Sequence, residues 1–333
     1  MLARSALVTG LCPRSLLNCL AKFLAVLAFI ISSQAAAGDG DISLYREVAA
    51  QVERGGPYHQ AAAELHRENN YPLKPFVTVR SPALAYLNAF LTPAGMLVTA
   101  WLLLFMSLGA WWRTLLARPL FERAAVLGLI AAGGGAIITP GNLYIHELWA
   151  GLLITLALGL SWNRKLQLVA ATCAVLLREL AAPILILLLY PFSWTQTRRV
   201  ALALVIVTAF YIWHMMNVWA VLLPTDLPSQ GWFGFLGLKG LSGYFAAMAG
   251  RDVPVWLALL PLLGWAFHRD RLPIAWCGGV VFAVCVLARE DNLFWILMML
   301  PVYFAGPVFL VGQAIAFLSE RFSNSGKEKL RPR

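Results

Sequence analysis

The sequence predicts an all-α protein that passes through a lipid bilayer several times. Of its 333 residues, 60% are hydrophobic and only 13% are charged, whereas a soluble globular domain has about 25% charged residues. The charges lie mostly between long apolar runs and are rare inside them. Backbone polar groups in hydrocarbon must be paired within the protein, which favours helices for such runs. We therefore expect one integral membrane domain over residues 1–333.

Ten apolar runs bounded by charged residues predict the individual membrane segments. In order they are Leu16–Ala37, Pro93–Trp112, Ala124–Thr139, Leu148–Trp162, Leu166–Leu177, Leu180–Phe192, Val200–Leu223, Val253–Phe267, Leu272–Ala288 and Leu293–Leu318. Several are shorter than the roughly 20 residues that a helix needs to cross about 30 Å of hydrocarbon. We therefore predict about ten membrane segments, some of them paired as half-length hairpins.

The adjacent charges Arg178 and Glu179 allow two topologies. Either one helix runs from Leu166 to Phe192 with both charges buried halfway, or two half-length helices turn at the charges. The positive-inside rule favours the turn, because the short basic clusters then fall together on the cytoplasmic side. These clusters are Arg113/Arg118/Arg123, Arg164/Lys165, Arg198/Arg199, Arg269/Arg271 and the basic tail over 319–333. Both termini are accordingly predicted in the cytoplasm.

The first apolar run has two interpretations. Arg4 and Arg14 precede it, and small residues end it, which is typical of a cleavable signal peptide. Cleavage near Ala37 and an uncleaved first helix both stay open. We favour the uncleaved helix, because it tethers the loop that follows to the membrane.

The net charge of +10 is explained by this topology and does not indicate a nucleic-acid partner, since no basic patch interleaved with aromatic residues lies in a soluble domain. None of the five cysteines lies in an outer loop, where oxidation could pair them. We expect no disulfide, no metal site and no cofactor.

Two long polar stretches predict the outer loops, over residues 38–81 and 224–254. The first opens with Asp39 and Asp41 and carries two helical patterns, Ile42–Arg54 and Tyr58–Asn69. Gly55-Gly56-Pro57 separates them with turn-forming residues. Leu44, Val48 and Val52 recur at helical spacing, so this stripe is expected to face the membrane domain. A mere connector would not need about 40 residues, which indicates a functional loop.

The first outer loop resembles the corresponding loop of the GT-C superfamily of integral-membrane glycosyltransferases. The resemblance rests on Asp41-Ile-Ser-Leu-Tyr45, Val48-Ala49-Ala50, Gly55-Gly56-Pro57-Tyr58, Tyr71-Pro72 and Pro75-Phe76, and extends more loosely to His146-Glu147-Leu-Trp149, Arg178-Glu179 and Arg289-Glu-Asp-Asn292. It implies a GT-C-like fold in a bacterial inner membrane. The implied reaction moves a sugar from a polyprenyl-phosphate donor to a glycan or lipid acceptor outside the cytoplasm.

The resemblance also assigns roles to particular side chains. Asp41 is the expected catalytic base or acceptor-orienting group, with Asp39 as the alternative two positions earlier, and the Asp-x-x-x-Tyr spacing favours Asp41. Arginines are suited to a phosphate leaving group because the guanidinium offers two parallel donors. The expected substrate-binding residues are Tyr45, Arg80, Glu147, Arg178, Glu179, Arg289 and Asp291. Each aspartate is also a favoured helix N-cap, a purely structural alternative.

Two other classes of function stay open. A transporter, flippase or lipid-binding protein also uses half-length helices around charged turns. An assembly scaffold would need no converging charges at all. The aromatic stretch Trp232-Phe-Gly-Phe in the second outer loop either stacks on a sugar ring or a prenyl chain or belongs to an interfacial belt, and we favour the belt. His214 is interpreted as a packing residue.

Overall fold

A computed structural model describes residues 39–290 and 292–328. Across these residues every regular element is a helix, and one isolated β-bridge joins Lys74 to Pro228. The all-α prediction is confirmed for this part of the chain. The predicted first segment Leu16–Ala37, Asp291 and the last residues of the basic tail lie outside the described residues.

Thirteen α-helices follow one another in the described part of the chain. They are α1 (Asp39–Glu53), α2 (Tyr58–Glu68), α3 (Ala83–Thr114), α4 (Leu120–Ile137), α5 (His146–Gly159), α6 (Arg164–Leu177), α7 (Pro183–Leu187), α8 (Trp194–Val221), α9 (Gly237–Ala249), α10 (Val255–Trp265), α11 (Leu272–Val286), α12 (Leu300–Tyr303) and α13 (Gly306–Glu328). Short 3₁₀ helices lie at Phe76–Thr78, Asn142–Tyr144, Glu179–Ala181 and Leu293–Met298.

Four helical stretches in the described residues are long and apolar enough to cross a membrane. They are Phe76–Thr114, Leu120–Ile137, Trp194–Val221 and Leu300–Phe317. The helices α5, α10 and α11 are apolar but shorter, at 14, 11 and 15 residues. These findings support an integral membrane protein with several spans. The count of ten segments and the orientation of the termini stay predictions.

The helix does break at Arg178. The helix α6 ends at Leu177, the backbone of Arg178 is extended (φ −145°, ψ 112°), and a 3₁₀ turn leads into α7. A single helix from Leu166 to Phe192 is therefore wrong. The second half is shorter than expected, because α7 ends at Leu187 and the chain enters α8 at Trp194.

The short helix α5 forms the centre of the bundle. Of its residues 146–159, only Leu153 is not fully buried. Because α5 is too short to reach the polar surface at both ends, its last carbonyl groups need partners inside the protein. Trp111 Nε1 donates to Thr155 O, Gln167 Nε2 to Ala157 O and Thr114 Oγ1 to Gly159 O.

The bundle has two chemically different ends. The loop end carries the first outer loop, the start of α5 and the break at Arg178. The basic end carries the last turn of α3, the turn between α5 and α6, and the start of α8. Of the predicted cytoplasmic clusters, the following residues lie at the basic end: Arg113, Arg118, Arg123, Arg164, Lys165, Arg198 and Arg199.

The first outer loop folds against the bundle. The helices α1 and α2 match the two predicted helices to within three residues at each end, and the stripe of Leu44, Val48 and Val52 is buried against α2, α3 and α8 as expected. An ion pair joins the two outer loops, with Arg67 Nε 2.7 Å from Asp226 Oδ1 and Arg67 Nη2 3.0 Å from Asp226 Oδ2. The start of the second outer loop therefore packs on the first outer loop at the loop end.

Candidate functional site

A buried ion-pair network lies at the loop end, where α6 breaks. The side chain of Arg178 is only 1% exposed, and its Nε lies 2.8 Å from Glu147 Oε1. Its Nη1 also donates to Glu179 Oε1. Glu147 is in the first turn of α5, and Arg178 directly follows the last residue of α6. The antiparallel α5 and α6 therefore bring these charges together because each lies at the same end of its helix.

Arg80 and Tyr45 extend this network to the first outer loop. Arg80 Nη1 lies 4.0 Å from Glu179 Oε1, and Arg80 Nε donates to Tyr45 Oη at 3.1 Å. Tyr58 Oη donates to the carbonyl of Arg80 at 2.7 Å, which fixes the backbone at this point. The structure thus joins five of the expected substrate-binding residues: Tyr45, Arg80, Glu147, Arg178 and Glu179. We name these five the loop-end cluster.

The phenol of Tyr45 faces charges of both signs. Burial raises the pKa of Tyr45 above its ordinary value, and the Arg80 guanidinium opposes this rise. Asp41, Glu147 and Arg178 also act on Tyr45 electrostatically. The phenol therefore stays protonated at neutral pH, where it accepts a hydrogen bond from Arg80 and keeps its own proton to donate.

His146 borders the cluster and was not among the expected site residues. It is 4% exposed, its Nε2 donates to Ser81 O at 3.1 Å, and its ring meets that of Tyr45 edge to face at 5.4 Å. Nδ1 of His146 is buried and has no hydrogen-bond partner among the described residues. Since Nε2 carries the proton, Nδ1 is an acceptor. The sequence signal was its place beside Glu147.

An apolar groove of about 510 Å³ begins at Glu179. One wall comes from the segment after the break, and the other from α11 and the 3₁₀ helix Leu293–Met298. The lining includes Leu180, Pro183, Ile186, Leu187, Trp232, Trp276, Gly279, Ala283, Trp295 and Met298. Glu179 is the one charged residue of this lining and also a member of the loop-end cluster. The loop-end cluster and the apolar groove therefore meet at one side chain.

A constrained aromatic turn contributes Trp232 to this groove. Phe233 and Phe235 both have positive φ (78° and 47°), which costs a residue with a side chain about 1 to 3 kcal/mol. Phe233 N donates to Leu287 O and Phe235 N to Val286 O, so the turn satisfies the last carbonyls of α11. Gly234 lies against Ala288 O, where a Cβ would be 2.1 Å away. The turn is thus held in place by the end of α11.

Arg289 lies beside this aromatic turn. Its Nη1 donates to Gly231 O at 3.4 Å, and Tyr244 Oη donates to its carbonyl. Glu179 of the loop-end cluster and Trp232 of the aromatic turn both line the groove. The structure therefore places Arg289 beside the aromatic turn of the second outer loop.

Asp41 lies on α1 and is partly buried. Tyr71 hydrogen-bonds its carboxylate, and both burial and this hydrogen bond raise the pKa of Tyr71. Asp41 and Arg80 act on the pKa of Tyr45, four residues on, in opposite directions. Asp39 begins α1, and the side chains of Asp39 and Asp291 lie outside the described residues.

His214, expected to be a packing residue, is 1% exposed and carries a hydrogen-bond chain. His214 Nε2 must donate to Val79 O (3.0 Å), so its Nδ1 accepts from His59 Nε2 (3.1 Å). This chain fixes α2 to α8. In the described residues, no group of three or more His, Cys, Asp or Glu side chains is placed to hold a metal ion.

The sequence matches no protein-family model, and it matches neither a curated protein nor a solved structure.

Proposed function

We propose that this protein is a membrane glycosyltransferase that moves a sugar from a polyprenyl-phosphate donor to an acceptor at the loop end. The observation that carries this proposal is the position of Glu179, which belongs both to the loop-end cluster and to the 510 Å³ apolar groove. A ligand that fits both features has a long apolar tail joined to a polar, anionic headgroup. A polyprenyl-phosphate sugar has this form.

The cluster supplies two arginines for the phosphate. Arg178 and Arg80 both contact Glu179, and a guanidinium can offer further N–H donors to phosphate oxygens beside its carboxylate partner. As the bond between the anomeric carbon and the phosphate oxygen breaks, the phosphate leaves with the electron pair and gains negative charge. Preorganised cations stabilise such a developing charge, because they need no rearrangement when it forms.

The acceptor requires a base. An acceptor hydroxyl forms the new bond to the anomeric carbon, and its proton goes to a carboxylate within hydrogen-bond reach. We assign this role to Asp41, which is partly exposed on α1 and lies one helical turn before Tyr45, whose hydroxyl accepts from Arg80. Tyr71 holds the carboxylate in place. Glu147 stays paired with Arg178 and positions it, without contacting the substrates.

A lipid-binding protein, flippase or transporter without transferase activity is the second candidate. The groove favours it equally, because an apolar tail site is useful without any chemistry. The two candidates differ at Asp41, since only a transferase needs a base beside the headgroup.

A reconstituted assay separates the candidates. The purified protein in proteoliposomes is given a panel of radiolabelled polyprenyl-phosphate hexoses and pentoses with an envelope extract as acceptor. Transfer of label from the lipid to the acceptor supports the proposal. Movement of labelled lipid between leaflets without transfer identifies a flippase, and binding without either identifies a lipid-binding protein.

A further inference from the structure

The basic end of the bundle carries a second polar surface that the proposed reaction does not use. It lies at the far end of α3, whose residues 93–114 follow a break at Thr92 (φ 60°, ψ 161°) and correspond to about 33 Å of helix. Thr114 Oγ1 donates to Gly159 O, so the last turn of α3 meets the turn between α5 and α6. Trp111 packs on His268 with ring centroids 6.2 Å apart, which adds the turn between α10 and α11.

Two arginines at this end are stacked on tryptophan rings. Arg113 Cζ lies 4.0 Å from the ring centroid of Trp162, and Arg123 Cζ lies 4.4 Å from that of Trp112. The two pairs begin at neighbouring residues of α3, Trp112 and Arg113. Trp112 and Trp162 remain 41% and 43% exposed. We name these four residues the Arg–Trp ridge.

The charge around the ridge is strongly positive. The segments 113–123, 164–165 and 268–272 contribute seven bases, namely Arg113, Arg118, Arg123, Arg164, Lys165, Arg269 and Arg271, against two acids, Glu122 and Asp270. Glu122 is already paired, since Arg118 Nη1 lies 3.6 Å from its Oε2. An anion at the ridge would therefore meet an excess of cations.

The geometry of stacking favours a phosphate. A guanidinium stacked on an aromatic ring uses its flat face, and its N–H groups point outward in the plane, where they can hold phosphate oxygens. Leu116, in the connection after α3, is 59% exposed, and Leu120 and Phe121, at the start of α4, are 63% and 45% exposed. An apolar surface beside a cationic ridge fits a molecule with a phosphate headgroup and acyl chains.

We propose that the Arg–Trp ridge binds the headgroup of an anionic phospholipid, whose acyl chains cover Leu116, Leu120 and Phe121. A free phosphate would leave these apolar side chains in water. The membrane leaflet at the basic end supplies the lipid, so this site anchors the bundle there and is independent of the substrate site at the loop end.

The test measures phosphatidylglycerol and phosphatidylcholine bound to the full chain in detergent by native mass spectrometry. We expect the wild type to retain phosphatidylglycerol preferentially. Arg113→Gln and Trp162→Leu should each weaken this retention about 3- to 10-fold, as the loss of one charge or one cation–π contact predicts. Arg198→Gln is the matched control, because Arg198 is an exposed arginine at the same end of the bundle, near the start of α8.

The proposal fails if the wild type shows no preference for phosphatidylglycerol, or if Arg198→Gln lowers retention as much as Arg113→Gln does. It also fails if millimolar glycerol phosphate displaces the lipid fully, since the ridge would then bind a soluble anion. The thermal unfolding midpoint in phosphatidylcholine is measured for each variant. A variant whose midpoint falls there is replaced by Arg123→Gln, for which the same loss is expected.

Discussion

Removing the Arg178 guanidinium should destabilise the bundle strongly, because two carboxylates lose their partner. The side chains of Arg178 and Glu147 are 1% and 4% exposed, so water cannot replace the lost cation at Glu147. Truncating one partner of a buried ion pair costs about 3 to 5 kcal/mol. The carboxylate of Glu179 is 19% exposed, so it retains some access to water and adds less to the loss. We therefore expect Arg178→Met to lower the free energy of unfolding by about 3 to 5 kcal/mol.

A double-mutant cycle tests this reasoning. Glu147→Gln leaves the cation unpaired on one side, and the double variant Arg178→Met/Glu147→Gln removes both buried charges. The double variant should recover at least about 2 kcal/mol relative to the sum of the single variants, since uncompensated burial of charge is gone. Equilibrium unfolding in mixed micelles measures each free energy. Additive losses, or a loss below about 1 kcal/mol for Arg178→Met, would show that the pair is not buried as described.

Three further outcomes are expected. Asp41→Asn should lower sugar transfer about 100-fold or more while the protein still folds, as the loss of a positioned base predicts, and Asp39→Asn should cost much less; equal rates for wild type and Asp41→Asn would refute the role of Asp41. Gly279→Phe should fill the groove and weaken binding of a polyprenyl-phosphate sugar at least 10-fold. The reason is that Gly279 lines the groove and a Cβ there meets open space. Gly243 also faces open space but lies outside the groove, so the control Gly243→Phe should bind normally. Burial lowers the pKa of His66 to about 4 from its ordinary 6.5, so the unfolded chain binds the proton more tightly. The stability of the first loop should therefore fall as the pH is lowered from 6.5 to 4. His66→Gln should flatten this pH dependence, and a pH profile of loop proteolysis that the variant leaves unchanged would contradict the role of His66.

Local sequence patterns predicted the loop helices and the break at Arg178 well. Gly55-Gly56-Pro57 separates α1 from α2 because these residues favour turns, and the apolar stripe that begins at Leu44 determines which side of α1 is buried. The positive-inside rule predicted the break, since only a turn at Arg178 places the short basic clusters together on one side. The turn and the stripe each depend on neighbours a few residues away.

Features that depend on tertiary contacts were not predicted from the sequence. Arg67 and Asp226 are 159 residues apart, and no local sequence pattern relates residues at that separation. Their ion pair nevertheless joins the two outer loops. The chain from His59 to His214 likewise depends on how α2 packs on α8. Trp232 was interpreted as part of an interfacial belt, whereas the positive φ angles of its turn and its place in the groove follow from the end of α11.

Photocrosslinking with a donor analogue shows whether the donor binds where the groove meets the loop-end cluster. A polyprenyl phosphate with a photoreactive group in its first isoprene units is irradiated with the protein in proteoliposomes, and the labelled peptides are identified by mass spectrometry. We expect labels on the segment 180–187 and on α11, and we expect both labels to be lost in Gly279→Phe. Labels spread evenly over lipid-facing helices such as α3 and α8, unchanged in Gly279→Phe, would contradict a donor site at the junction of the groove and the loop-end cluster.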